Sequence, residues 1–212
     1  MYAKRKKFLS RLSAVDMIFD FYPAHYNVIK RKFPKVVFGT FPVAVYADRI
    51  PYLSLDGATY DVCVLGSQSR RRRVAWRALQ RVGLKLSPTH GVLESIVPSC
   101  RITANVHMER YDNCEVHRIL SSLAMGRPVV TEPIYGFSEI RTWPGVHACP
   151  LSDMPDLIRR LVCDRESLAA QSRSAYDFYW DHYWYHARAE WFQILEKVSS
   201  FAAAKWNTHT YS

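Results

Sequence analysis

A glycine-serine turn running into four consecutive arginines is the most chemically pointed stretch of this chain, YDVCVLGSQSRRRRVAWRALQRVG from Tyr60. The apolar run reads as a strand, and Gly66, Ser67, Gln68 and Ser69 as the turn that opens a helix. Such a turn offers unpaired backbone N–H groups and the positive end of a helix dipole, which together favour an anion. Arg70 to Arg73 add charge to the same mouth. The plainer alternative is an ordinary strand-to-helix turn with a solvated arginine face. A second cluster follows the strand RITANVH, which ends at His107. Glu115 and Arg118 lie three apart on the next helix and so share a face. They would form either a surface ion pair, or a carboxylate for ribose hydroxyls beside a guanidinium for phosphate oxygens. Thr131 and Glu132 close the strand RPVV, where a polar pair facing a ligand is expected; Glu132 alone reads equally well as a loop carboxylate. His182 and His186 have the i, i+4 spacing of metal ligands, but no third ligand accompanies them, and no metal site is expected. No GxGxxG, GxxxxGK[ST] or GxSxG occurs. That argues against a dinucleotide dehydrogenase, a P-loop enzyme and an α/β-hydrolase.

These groups need a scaffold, and the chain has the material for one. Its 212 residues are 49% apolar and include 10 Phe, 13 Tyr and 6 Trp. That excludes a disordered chain. No apolar run reaches the ~18 residues of a spanning helix, and the basic start from Met1 to Lys7 lacks the apolar stretch of a secretory signal. A cytoplasmic protein is therefore expected. The 5 Cys form no CxxC pair, as free thiols in a reducing compartment would. A net charge of +10 favours an anionic partner: a nucleotide diphosphate, a nucleic acid or a membrane surface.

Apolar runs alternate with helical segments. Val15–Tyr22, Ala24–Phe33 and Lys35–Tyr46 predict a strand–helix–strand unit. From Tyr60 the strands YDVCVL, LKLSP, RITANV, PVVT and GVHACPL are interleaved with helices, and two helices close the chain. This pattern implies βαβ units and a parallel sheet, with Tyr60–Leu65, Arg101–Val106 and Pro128–Thr131 side by side and helices on both faces. The expected fold class is α/β: a Rossmann-like parallel sheet with flanking helices, an N-terminal βαβ fragment and a helical C-terminal tail. The expected divisions are residues 1–50, 51–175 and 176–212. Ligands of such sheets bind outside the carboxyl ends of the strands, where the clusters above fall. The N-terminal unit has too few strands to bury its own apolar face. It should join the main sheet, pack under the aromatic helices around Tyr176 to Trp191, or self-associate.

Three segments, YDVCVLGSQSRRRRVAWRAL with the GLKL after it, SCRITANVH, and EVHRILSSLAMGRPVVTEP, resemble the C-terminal, donor-binding half of GT-B glycosyltransferases. The likeness is strongest to the group of spore-maturation glycosyltransferase-like proteins. It covers roughly residues 15–183 in order, with the segment from Val15 similar to the last βα unit of that family's first half. The resemblance implies a metal-independent transferase with a nucleotide sugar, a UDP- or GDP-sugar, as co-substrate and no resident cofactor. It implies donor and phosphate contacts from Gly66, Ser67, Ser69, Arg70, His107 and Arg118, and ribose or sugar contacts from Glu115, Thr131 and Glu132. The acceptor would be a glycan, a protein or a modified nucleic acid. Two features depart from the pattern. Ser121 stands where the family usually carries a ribose-binding Glu, and the first lobe is reduced to a fragment, so no catalytic base is identified. Two alternatives remain open: a non-catalytic nucleotide- or glycan-binding remnant, and a basic protein associated with nucleic acid.

Overall fold

The sheet that carries the candidate site is built from four short, largely apolar strands, the two central ones almost wholly buried. In the computed structural model, which describes residues 15–20, 26–40, 42–43, 45–88, 93–107, 116–134 and 138–209, the chain forms two compact units. One comprises residues 1–43 and 186–212, the other residues 44–185.

In the first unit, β1 (Met17–Asp20) and β2 (Val37–Thr40) pair in parallel, with Met17 opposite Val37, and α1 (Tyr26–Lys32) connects them. Pro34 and the exposed Lys35 turn the chain between α1 and β2. The pair forms its own two-stranded sheet and does not extend the larger one. Trp191, on the long C-terminal helix, donates its indole N–H to the carbonyl of Pro42 at 3.1 Å. Of the outcomes expected for this piece, the described residues therefore show a separate sheet tied to the C-terminal helix.

The second unit contains β3 (Tyr60–Val64), α2 (Arg70–Arg81), α3 (Leu93–Ile96), β4 (Cys100–Asn105), α4 (Val116–Ala124), β5 (Val129–Thr131), β6 (Val146–Ala148), α5 (Met154–Cys163) and α6 (Arg165–Asp177). All four strands are parallel in the order β3-β4-β5-β6. Because side chains alternate across a strand, each contributes to both faces. Val62, Ile102, Ala104 and Val130 meet Ala75 and Leu79 of α2 and Ile158 of α5 in one core. On the other face the Thr103 hydroxyl donates to Ser122 of α4 at 2.9 Å. Helices on both faces explain why the strands read as unbroken apolar runs.

The expected strand LKLSP is reduced to a single parallel bridge between Leu86 and Val62. The Asp61 carboxylate takes the Lys85 N–H at 2.8 Å, and Pro88 has no N–H to extend the ladder. That one bridge still decides the topology. Val62 already faces Ile102 of β4, so Leu86 lies on the opposite side of β3. The chain thus winds outward one way through α2 to Leu86 and the other way through β4, β5 and β6. The reversal makes a topological switch point at the carboxyl ends of β3 and β4.

The aromatic tail binds the segment that precedes β3. A π-helical turn, Phe178–Tyr183, joins α6 to α7 (Trp184–His209). Trp184 donates to the Tyr46 carbonyl at 2.9 Å, Tyr176 to the Ile50 carbonyl, and Tyr52 exchanges a 3.0 Å hydrogen bond with Ser172. The Arg49 guanidinium lies 5.2 Å from the centre of the Tyr176 ring and pairs with Asp181 at 2.6 Å. Arg127 fixes the same segment from the sheet side. It is fully buried, has no carboxylate partner among the described residues, and donates to the carbonyls of Leu53, Ser54 and Pro98 at 2.6, 3.4 and 3.0 Å. Burial lowers its pKa from the usual arginine value. No helix among the described residues is long and apolar enough to cross a membrane.

Candidate functional site

Four arginines at the start of α2 oppose the helix dipole, so each must find another use or face water. The structure gives them different tasks. Arg70 is exposed at the first helical position, and Arg73 is exposed as well. Arg72 is buried, 4% exposed, and clamps two strand ends together. Its Nε donates to the Val106 carbonyl at 2.9 Å and its Nη1 to the Ser67 carbonyl at 2.7 Å. Arg71 pairs with Glu132, whose other oxygen accepts the His107 N–H at 2.8 Å. Glu132 therefore joins the carboxyl ends of β4 and β5 to α2. The Ser69 hydroxyl caps α2 by accepting the Arg72 N–H at 3.2 Å, which satisfies one of the helix's orphan donors.

Gly66 turns the chain out of β3 with a φ of +97°, a conformation only glycine takes freely. The space where its Cβ would stand is filled by Arg118 of α4: a Cβ there would lie 2.6 Å from Cζ and 2.7 and 2.8 Å from the two Nη atoms. A guanidinium thus rests on the glycine turn at the mouth of the switch point. Thr131 is buried, accepts from Asn105 Nδ2 at 3.1 Å and donates to the Glu132 carbonyl at 2.9 Å. His107 Nε2 lies 3.2 Å from the Pro133 carbonyl, which only accepts, so Nε2 carries the proton and Nδ1 presents a lone pair. His107 Nδ1, Asn105 Oδ1 and Arg71 Nε are buried without a partner among the described residues. Buried polar atoms are rarely left so, and three of them around one strand end mark a polar recess.

The structure therefore brings Gly66, Ser67, Ser69, Arg70, His107, Thr131 and Glu132 to one end of the sheet, with Arg118 against them. Glu115 lies outside the described residues. Sequence reasoning did not single out the clamp of Arg72, the pairing of Arg71 with Glu132, or Asn105. The available signals were an arginine run against a dipole and an Asn ending a largely buried strand. Burial, then the carboxylates of Asp153 and Glu132, push the thiol of Cys149, just past β6, up to about 11. Among the described residues, no three His, Cys, Asp or Glu side chains converge to hold a metal ion.

No protein-family model and no curated protein sequence matches the chain. Solved structures do. TarM aligns over 89% of this chain and 45% of its own, with a TM-score of 0.60 at 13% identity. WaaG, described as a glycosyltransferase involved in lipopolysaccharide biosynthesis, aligns over 83% of this chain and 61% of its own, with a TM-score of 0.59 at 12% identity. The pneumococcal O-GlcNAc transferase GtfA, solved with UDP and GlcNAc, aligns over 90% and 46%, with a TM-score of 0.57 at 12% identity. The fold is that of the GT-B glycosyltransferases. At these identities the likeness concerns fold alone, and the chain spans about half the length of the solved chains it matches. Within this GT-B fold the arginine-lined glycine turn occupies the switch point of the sheet, where the architecture leaves room for a ligand.

Proposed function

We propose that the chain is the donor-binding half of a glycosyltransferase that takes a nucleotide sugar, a UDP- or GDP-sugar, without a metal. One observation carries this reading: the Arg118 guanidinium seated on the positive-φ turn of Gly66, at the switch point of a GT-B sheet. A departing nucleoside diphosphate carries the charge that develops as the glycosidic bond breaks. Fixed donors aimed at that charge stabilise the transition state. Arg118, exposed Arg70 and the start of α2 supply them, while Glu132 and Arg72 hold strand ends and turn in place. Ser67 and Ser69 belong to the same turn, and Ser69 acts through the helix start that it caps. His107 and Thr131 line the polar recess on the sheet side, suited to hydroxyls of the ribose or sugar, and Glu115 completes that group in the proposal. The acceptor is a glycan, a protein or a modified nucleic acid.

A thermal-shift and calorimetric screen of UDP, GDP and their sugars, run with chelator present, tests this. A ligand that binds only the folded state raises the melting temperature by mass action. The reading expects diphosphates and their sugars to bind and bare nucleosides to bind far more weakly. No stabilisation by any nucleoside diphosphate would overturn it. Slow hydrolysis of a bound donor would separate a catalytic half from a binding remnant.

A further inference from the structure

The turn after β3 leads into a helix whose outer face carries charge of one sign only. α2 reads RRRRVAWRALQR and has no Asp or Glu. Arg70, Arg73, Arg77 and Arg81 are all exposed. Successive residues of an α-helix turn by about 100°, so these four fall within an arc of about 80° and run along about 16 Å of the helix. Among the described residues none of the four pairs with a carboxylate. Arg73, Arg77 and Arg81 are successive i, i+4 neighbours of like charge, which destabilises a helix, and Arg70 stands against the dipole. A solvated helix face ordinarily interleaves acids with its bases; this one holds a repulsion that an anion would relieve. Trp76 borders the stripe. It lies three residues from Arg73 and four from Gln80, where α2 turns from the arginines towards the core, and it is half-buried. It lines a small hollow with Val64, Gly66, Gln68 and Arg72, so the flank of the stripe opens onto the glycine turn.

We propose that this face of α2 binds a single-stranded nucleic acid, with its phosphodiesters on Arg73, Arg77 and Arg81 and a base stacked on Trp76. Guanidinium forks match phosphate oxygens two at a time. A line of such groups beside an aromatic ring suits a strand with unpaired bases, charge tracking the backbone while the ring takes a base. A duplex would meet the charge, but its paired and stacked bases leave Trp76 nothing to hold. A lipid surface would find a single large apolar side chain on the exposed face of α2, Val74. The inference goes beyond the donor site and does not depend on it, because it concerns the outer face of the helix rather than the turn at its start.

The test is fluorescence anisotropy of the full 212-residue chain with a labelled single strand of about twelve nucleotides, of DNA or of RNA, with no nucleotide sugar present. Its failure therefore leaves diphosphate binding, read by calorimetry, to stand or fall separately. Three phosphate contacts predict that affinity falls about twentyfold from about 50 to about 200 mM salt. Arg77→Ala with Arg81→Ala should reduce that fall to about threefold, with the melting temperature unchanged or raised as like charges are removed. A strand of the same length lacking its bases should bind about tenfold more weakly than the intact one, and Trp76→Leu should bring the two to the same affinity. Equal affinity of the wild-type chain for intact and abasic strands would overturn the proposal without recourse to any variant. So would duplex DNA or a heparin fragment bound as tightly as the single strand, or a salt dependence that the double arginine change leaves untouched.

Discussion

Replacing Gly66 by alanine isolates the contact on which the proposed site depends. The added Cβ would stand 2.6–2.8 Å from three atoms of the Arg118 guanidinium, whereas ordinary contacts between such atoms are about 3.5 Å or more. The guanidinium must therefore move by roughly 1 Å, and as the far end of a flexible side chain it does so at little cost to folding. The backbone is less forgiving. A φ of +97° strains alanine by about 1–2 kcal/mol, which for a chain of this length lowers the melting temperature by about 2–8 °C. Gly83 supplies the control, with a φ of +82° and nothing within 4 Å of its Cβ position. Gly83→Ala should show the same thermal loss and leave ligand binding intact. Gly66→Ala should match it in stability but lose about ten- to a hundredfold in affinity for a nucleoside diphosphate, the worth of a charge-assisted contact of ~1.5–3 kcal/mol. Titration calorimetry with UDP and GDP, set against uridine and guanosine, reads the difference. Undiminished diphosphate affinity in Gly66→Ala, or an equal loss in Gly83→Ala, would refute the reasoning.

Arg118→Ala should weaken diphosphate binding by a similar factor and leave nucleoside binding nearly constant in the same titrations; equal losses for both would make Arg118 structural. Arg127→Ala leaves three carbonyls without their buried donor and opens a cavity, so chemical denaturation should show a loss of about 3–5 kcal/mol. Burial raises the Tyr179 phenol from 10 to about 12, so the unfolded chain ionises first and stability falls as pH climbs from 10 towards 12, by roughly 2–3 kcal/mol. Tyr179→Phe should remove that alkaline limb from a series of melts. With its thiol pushed up to about 11, Cys149 should alkylate slowly with iodoacetamide at pH 8 and faster as pH rises, whereas exposed Cys163 should be modified first in peptide mapping.

The sheet was legible because its strands are buried on both faces. VCV, ITA and VVT each form an apolar or small-residue run, and the observed β3, β4 and β5 differ from expectation by a residue or so at their ends. LKLSP was over-read, because its ladder is cut short by the side chain of Asp61, which belongs to another segment, as well as by Pro88. At the site, the glycine turn and its placement were readable from local chemistry. The division of labour among Arg70, Arg71, Arg72 and Arg73 was not, because four identical residues are told apart only by what the fold sets opposite each. Glu132 looked like an ambiguous loop carboxylate until Arg71 and the His107 N–H closed around it. Nor does a sequence show an unsatisfied acceptor: Asn105 Oδ1 and His107 Nδ1 are defined by finding no partner among the described residues.

The two sheets differ in how they end sideways, which bears on how the protein would misassemble. The four-stranded sheet finishes at Leu86 in a single bridge with Pro88 close behind, and at β6 in three residues followed shortly by Pro150. Edges that short and proline-marked give an incoming strand little to copy. Among the described residues β1 and β2 pair only with each other, so each leaves one flank of N–H and C=O groups without a strand beside it. The sequences there, MIFD and VFGT, are largely apolar. If concentrated stocks of this protein form fibrous aggregates, the seed should be this two-stranded ribbon, and a lysine placed at exposed Val37 should delay them.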